Sequence, residues 1–213
     1  ATGSHAADLL ARAGVGHIAL IDPDKVEMSN LHRSLYDEAD VGLPKAHTLA
    51  QHLRAVNREV EVIPIVGLLL DYTSNAYLQG VQIVVDGTDN VPTRKIINEA
   101  RLPWAYAGIA GETGQVMLFG PKGCGPCLTC LLGTHSPEKP PRTGVIGPIS
   151  AAIAAIQVGM VLRYLVDPEA AVAGLLGRLV RLSVWGWATS ITEVPRDPQC
   201  PGCGPVDASA GAS

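Results

Sequence analysis

The apolar run His17-Ile18-Ala19-Leu20-Ile21 breaks at once into Asp22-Pro23-Asp24-Lys25-Val26-Glu27-Met28-Ser29-Asn30-Leu31-His32-Arg33, and this junction constrains the fold more than any other stretch. The run lacks the alternation of a half-wet strand, so it reads as a parallel strand covered on both faces. Acids, an amide and a guanidinium follow within one loop, which puts a polar site at the strand's carboxyl end, where open α/β sheets bind ligands. An acid at such a tip, about twenty residues after a glycine turn, holds a ribose, and Asp22 follows Gly3 at about that interval. Asn30 and Arg33 add reach toward phosphate that a nicotinamide dinucleotide does not need. The expected ligand is therefore a nucleotide whose phosphates react.

The remaining elements alternate around this strand. Ser4 to Ala13 reads as a helix, with Leu9 and Leu10 among alanines and Gly14 and Gly16 as stop signals. Pro44 to Val56 reads as a second, with Ala46, Leu49, Ala50 and Leu53 on one face and Pro44 where its missing N–H is harmless. Lys45 then lies in its first turn. Glu61 to Val66 is an expected strand and Tyr72 to Leu78 a short helix. Val81 to Val85 is a strand ending in Asp86-Gly87-Thr88-Asp89-Asn90, a second polar cluster at a strand tip. Two such tips on one edge make one site. Within the second cluster, Asp86 is expected to fix the turn by accepting backbone N–H groups, which leaves Asp89 for the ligand.

Val91 to Arg101 reads as a helix, and Trp104 to Ile109 and Gly114 to Phe119 as strands joined so closely that the sheet becomes mixed. Lys122 to Gly147 is a loop with four prolines and three cysteines, too long for a casual connection. A lone histidine in it, His135, reads as solvated. An apolar helix, Pro148 to Val166, a shorter one, Pro168 to Leu176, and strands Leu179 to Val184 and Ala188 to Val194 complete the pattern, with 205–213 an expected disordered tail.

Cys127-Leu128-Thr129-Cys130 and Cys200-Pro201-Gly202-Cys203 are two chelating pairs, and four thiolates at this spacing suit tetrahedral zinc. The pairs lie much farther apart than in a compact zinc ribbon, so the fold must bring them together. Disulfides or idle thiols are the alternative. Ala1 to Gly14 lacks a basic start followed by an apolar core, so a cytoplasmic setting is expected and zinc is favoured over disulfides. Four thiolates leave no open position, which makes the expected metal structural. Cys124, the fifth cysteine, stands just before the first pair as a competing or free thiol.

D-x-D-x-V-x-x-S-N-L-x-R from Asp22 to Arg33, G-x-P-K from Gly42 to Lys45, D-x-T-D-N from Asp86 to Asn90 and the two C-x-x-C pairs together resemble the ThiF/MoeB/HesA family, bacterial relatives of the ubiquitin-activating enzymes. The resemblance runs from Ala1 to about Gly204. It implies an α/β fold: a single Rossmann-like adenylation domain over residues 1–204, with a mixed, mainly parallel sheet and a C-terminal zinc-tied β extension. It also implies that Ala1-Thr2-Gly3 ends a glycine loop whose first strand lies upstream. By the same resemblance Asp22 takes the ribose hydroxyls of ATP, Asn30, Arg33 and Lys45 its phosphates, and Asp89 the Mg2+, with Gly3 in the cofactor-binding turn and Arg33, Lys45 and Asp89 carrying the chemistry. The implied reaction is adenylyl transfer to the C-terminal glycine carboxylate of a ubiquitin-like sulfur-carrier protein ending in Gly-Gly, by a homodimer. Adenylation of another protein or peptide C-terminus is the alternative within the family.

Two departures stand out. The stretch from Leu131 to Gly147 has no cysteine where several relatives form a covalent sulfur intermediate, and Ser34 stands where many relatives have glutamine. The first puts covalent transfer in doubt and leaves adenylation untouched. A catalytically weakened partner subunit of the same fold is a rival from another class, as is a nicotinamide-dependent oxidoreductase, although the latter has no use for Asp89, Lys45 or the cysteine pairs.

Composition narrows the partners further. The 213 residues are 47% hydrophobic and 17% charged, with net charge −4, so there is no basic footprint for nucleic acid. Val145 to Val166 is apolar, but Gln157 and Arg163 interrupt it, so it reads as a core or dimer helix and not as a membrane span.

Overall fold

The computed structural model describes residues 1–121, 123–133 and 144–204, so His135 and the tail expected to be disordered lie outside the described residues. The chain runs α1 (Thr2–Arg12), β1 (His17–Ile21), α2 (Lys45–Val56), β2 (Glu61–Ile65), α3 (Asp71–Tyr77), β3 (Val84–Val85), α4 (Val91–Glu99), β4 (Trp104–Ala110), β5 (Thr113–Phe119), α5 (Leu128–Leu132), α6 (Gly147–Val166), α7 (Pro168–Leu175), β6 (Arg178–Ser183) and β7 (Ala188–Glu193). Two 3-10 turns, Met28–Arg33 and Glu38–Asp40, lie between β1 and α2. The long loop expected from Lys122 contains a helical turn, α5, which the prolines around it concealed.

The strands form two hydrogen-bonded sheets, β1-β2 and β3-β4-β5-β6-β7. Pairs β1–β2 and β3–β4 are parallel, whereas β4–β5, β5–β6 and β6–β7 are antiparallel. The sheet is mixed as expected, but its pairings are mainly antiparallel. The reason is connection length: the turn from Ala110 to Thr113 suits a hairpin, whereas parallel pairing needs a long crossover, usually through a helix. β1 is not covered on both faces either. Ile18 is 8% exposed and packs in the core, while His17 and Ala19 are exposed, as is Ile63 beside them on β2. Helices α1 and α2 close one face only, so the apolar run reported strand type correctly and burial incorrectly.

One core cluster joins both sheets. Ala7, Leu10, Ala11, Ile18, Leu49, Leu53 and Val62 meet Ala105, Ala107, Val116 and Leu118 with Ile149, Ile153 and Val161 of α6. The small Ala105 and Ala107 on β4 let α6 lie close to the sheet. On the opposite face Trp104, Tyr106, Met117 and Phe119 form a second cluster with Leu128 and Leu179, and Trp104 stacks on Phe119 with centroids 4.5 Å apart. Burying each large side chain of this kind contributes about 1.5–3 kcal/mol. Helix α6 is long and apolar enough to cross a membrane by length and composition, with mean hydropathy 1.8, yet Ile149, Ile153 and Val161 are each within 1% of full burial against α1, β4 and β5.

Candidate nucleotide and metal sites

The tip of β1 is held in line by the Asp22 N–H, which donates to Ile65 O at 3.1 Å. The Asp22 carboxylate accepts the Asp24 N–H at 2.9 Å. Burial pushes the Asp22 carboxyl above its ordinary pKa, opposed by that N–H and by Lys45. Backbone bonds from Val26 N to Leu43 O, Gly42 N to Val26 O and Lys45 N to Asp24 O zip the loop after β1 to the start of α2. This contact explains why the two motifs occur together: Val26, 2% exposed, is the apolar pin, and Gly42 makes its turn at φ +91. Lys45 Nζ lies 2.9 Å from Asp24 Oδ2.

The Met28–Arg33 turn supplies the next polar groups. Arg33 Nη1 donates to Ser29 O at 2.8 Å. Asn30 Oδ1 accepts the Glu27 N–H at 3.2 Å, so the amide caps its own turn. Ser4 Oγ accepts the Leu35 N–H at 3.2 Å, and the His5 ring meets Arg33 O at 3.3 Å, which docks the head of α1 against this turn.

At the tip of β3, Asp86 is fully buried and turns its Oδ1 to the N–H and hydroxyl of Thr88, at 2.8 and 2.7 Å. This is the turn-fixing role expected for it. Its Oδ2 accepts Arg94 Nε at 2.7 Å, and Arg94 Nη2 donates to Thr88 O and Ala107 O at 2.6 and 2.7 Å. Asp89 is exposed and accepts no hydrogen bond among the described residues. Asn90 caps α4 by accepting the Thr93 N–H at 2.9 Å.

The two tips meet at the start of α1. A Cβ on Gly87 would stand 2.9 Å from Gly3 Cα, so the two backbones approach closely and Gly87 has no room for a side chain. The charges of Lys45, Arg33, Asp22 and Asp89 all reach the backbone nitrogen of Ala1 at the head of α1. The loop after β1, with Asp22 and Arg33, and the turn after β3, with Asp89, thus both reach the start of α1 beside Gly3, and Lys45 joins the first through Asp24, whereas Asn30 is engaged in its own turn.

The four expected ligands also converge. Their Sγ atoms lie within 4.8 Å of one another, with Cys127–Cys200 at 3.6 Å, Cys130–Cys203 at 3.4 Å and Cys127–Cys130 at 3.9 Å. A tetrahedron with Zn–S bonds of about 2.3 Å has S–S edges of about 3.8 Å, so the donors fit zinc. Burial raises the Cys127 thiol, and burial and the neighbouring thiols raise Cys203. Cys200 is lowered to about 7 because N–H groups of Cys203 and Gly202 and the thiols of Cys130 and Cys203 outweigh its burial. A bound cation would favour the thiolate form that all four ligands must take. Cys124 is exposed and outside the group.

Three supporting residues escaped sequence reasoning. Arg94 is 7% exposed and lies on a helix whose pattern gave it no special place. Asn98 Oδ1 accepts the Leu128 N–H at 3.0 Å, across thirty residues of sequence. His32 donates to Val145 O at 3.0 Å, tying the Met28–Arg33 turn to the segment before α6. Only their position on the faces of neighbouring elements could have signalled these roles, and a linear motif does not carry that.

The chain as a whole is similar to known proteins. The ThiF family profile matches residues 1–202. Adenylyltransferase and sulfurtransferase MOCS3 of Anopheles gambiae is 35% identical over 183 residues, 82% of this chain and 41% of that protein. SAMP-activating enzyme E1 of Haloferax volcanii is 32% identical over 215 residues, 95% of this chain and 76% of that protein. Sulfur carrier protein ThiS adenylyltransferase of Bacillus subtilis is 34% identical over 223 residues, 97% of this chain and 63% of that protein. The chain thus spans between 41% and 76% of the length of these relatives. The crystal structure of E. coli MccB with ATP superposes with TM-score 0.78 at 24% identity, over 95% of this chain and 64% of that one, which shows a shared fold. With its profile matched from residue 1 to residue 202, the chain belongs to the ThiF family.

Proposed function

We propose that this chain is an ATP- and Mg2+-dependent adenylyltransferase that activates the C-terminal glycine carboxylate of a ubiquitin-like sulfur-carrier protein. The observation that carries the reading is that the loop after β1, bearing Asp22 and Arg33 and joined to Lys45 through Asp24, and the turn after β3, bearing Asp89, both touch the start of α1, at Ser4 and Gly3. The α1 N-terminus offers unpaired N–H groups to a phosphate, and the Gly3–Gly87 contact keeps side chains from intruding. Asp22 binds the ribose. Lys45 is paired with Asp24, but that pair is open to solvent on the Asp24 side and worth about 1 kcal/mol or less, so a triphosphate displaces it readily. Asp89, exposed and without a partner among the described residues, fits a hard divalent cation, and bound Mg2+ would supply neutralisation of the phosphate oxygens.

The carrier's carboxylate oxygen attacks the α-phosphorus of ATP, and the bond from that phosphorus to the oxygen bridging to the β-phosphate breaks. Pyrophosphate leaves with the electron pair, and a mixed anhydride with AMP remains. Arg33 and Lys45 stabilise the charge that builds on the phosphate oxygens. The Bacillus subtilis relative is named for a sulfur-carrier substrate, which supports the choice of carrier here.

In the same reading residues 1–204 form one domain. Zinc on Cys127, Cys130, Cys200 and Cys203 ties the chain after β7 to α5, the protein works in the cytoplasm, and α6 contributes to a homodimer. The test is ATP–pyrophosphate exchange with a purified ubiquitin-like sulfur carrier. Exchange should require the carrier and vanish when its last glycine is removed. Exchange with an unrelated peptide but with no carrier would move the substrate assignment, and absence of ATP binding would sink the reading.

A further inference from the structure

Helix α4 runs from one site to the other. At its start Asn90 caps the helix directly after Asp89. One turn on, Arg94 fixes Asp86, Thr88 and Ala107. One turn further, Asn98 accepts the Leu128 N–H at 3.0 Å, inside the Cys127–Cys130 knuckle. Residues spaced four apart share a helix face, and the step from Asn90 to Asn98 covers about 12 Å.

The contact at Asn98 answers a specific need. Cys127 occupies the N-cap position of α5, where a side-chain oxygen ordinarily accepts a free N–H, and its side chain makes no capping bond. Its sulfur belongs to the four-thiol cluster instead. The Asn98 amide oxygen satisfies the free N–H of Leu128, the first residue of that turn, from outside, and so holds the turn that carries Cys127 and Cys130. A ligand pair held in this way is connected to the Asp89 turn through a single rigid element.

We propose that Asn98 is a positioning residue for the metal and that α4 couples the four-thiolate site to the nucleotide site, so that metal and ATP each strengthen the hold of the other. The ATP half rests on the adenylation reading above; the Asn98 half does not. Coupling of this kind is reciprocal, and outer partners of a metal ligand set typically change metal affinity by about 10–100-fold.

The experiment follows zinc release from the full zinc-loaded chain to a chromogenic chelator. Without nucleotide, Asn98→Leu should release zinc at least about tenfold faster than the unaltered chain. ATP with Mg2+ should slow release from the unaltered chain about fivefold, and this effect should be lost in Asn98→Leu. Asn98→Gln, which moves the amide one methylene out of register, replaces the leucine variant if that variant does not fold with zinc. Unchanged release in the substituted chain overturns the role of Asn98. Release indifferent to bound ATP overturns the coupling. Failure of the unaltered, zinc-loaded chain to bind ATP at all removes the adenylation reading and the coupling with it, while the release rates still decide the role of Asn98.

Discussion

Arg94 meets Asp86 through an enclosed ion pair, Nε to Oδ2 at 2.7 Å, with the two side chains 8% and 0% exposed. Each remaining polar atom named above has a partner: Thr88 occupies the other carboxylate oxygen, and two backbone carbonyls take the guanidinium. The Arg94 guanidinium also stacks over Tyr106, 4.9 Å from the ring centroid. Removing one member leaves the other buried and charged. Arg94→Met should therefore lower stability in urea unfolding by about 3–5 kcal/mol, and adding Asp86→Asn should restore part of it. A loss below about 1 kcal/mol would mean that water reaches the pair after all.

Asp89 stands three residues from Asp86 and is predicted to behave in the opposite way. It is exposed and holds nothing in the protein among the described residues, so Asp89→Ala should leave the unfolding midpoint and the zinc content unchanged. Carrier-dependent ATP–pyrophosphate exchange should fall about a hundredfold, on the order of 3 kcal/mol of transition-state stabilisation. Exchange retained within about threefold would make Asp89 a turn residue and withdraw the magnesium assignment.

The contrast between these two aspartates shows what the sequence could and could not carry. Strand tips, cysteine pairs and most helix limits were legible because they depend on local period and on turn residues. Asp86 as a turn residue was legible for the same reason. Arg94 was not, since a cation on a helix is usually solvated and only the depth of Tyr106 and Ala107 beneath α4 makes it structural. The exposure of Ala19 and Ile63 was equally hidden, because apolar periodicity reports what a strand is and not what covers it.

Asp22 should show a trade between binding and stability that depends on pH. Burial raises its carboxyl pKa in the folded state, so the folded chain holds that proton more tightly than the unfolded chain does. Stability is then greatest below the ordinary carboxylate pKa and is lost as pH rises through the raised value. Asp22→Asn has no charge to bury and can still accept the Asp24 N–H. Its melting temperature should match that of the unaltered chain near pH 4 and exceed it near pH 7, while ATP affinity falls about tenfold as the charged acceptor of the ribose is lost. Equal melting temperatures at both pH values would show that the Asp22 carboxylate is solvated when the nucleotide is absent.

Helix α6 presents its other side to solvent. Pro148, Ala155, Gly159 and Val166 are exposed at helical spacing, with Val166 at 86%, and a Cβ placed on Gly159 meets nothing within 4 Å. A second copy of this face could approach closely, and a two-fold contact would bury the same residues on both chains. Sedimentation at micromolar concentration should show a dimer. Ala155→Glu should shift it to a monomer with an unchanged circular dichroism spectrum, because the carboxylates would meet across the two-fold axis while each isolated chain keeps them in water. A monomer from the outset, or a dimer indifferent to Ala155→Glu, would leave α6 as a core helix with one wet face.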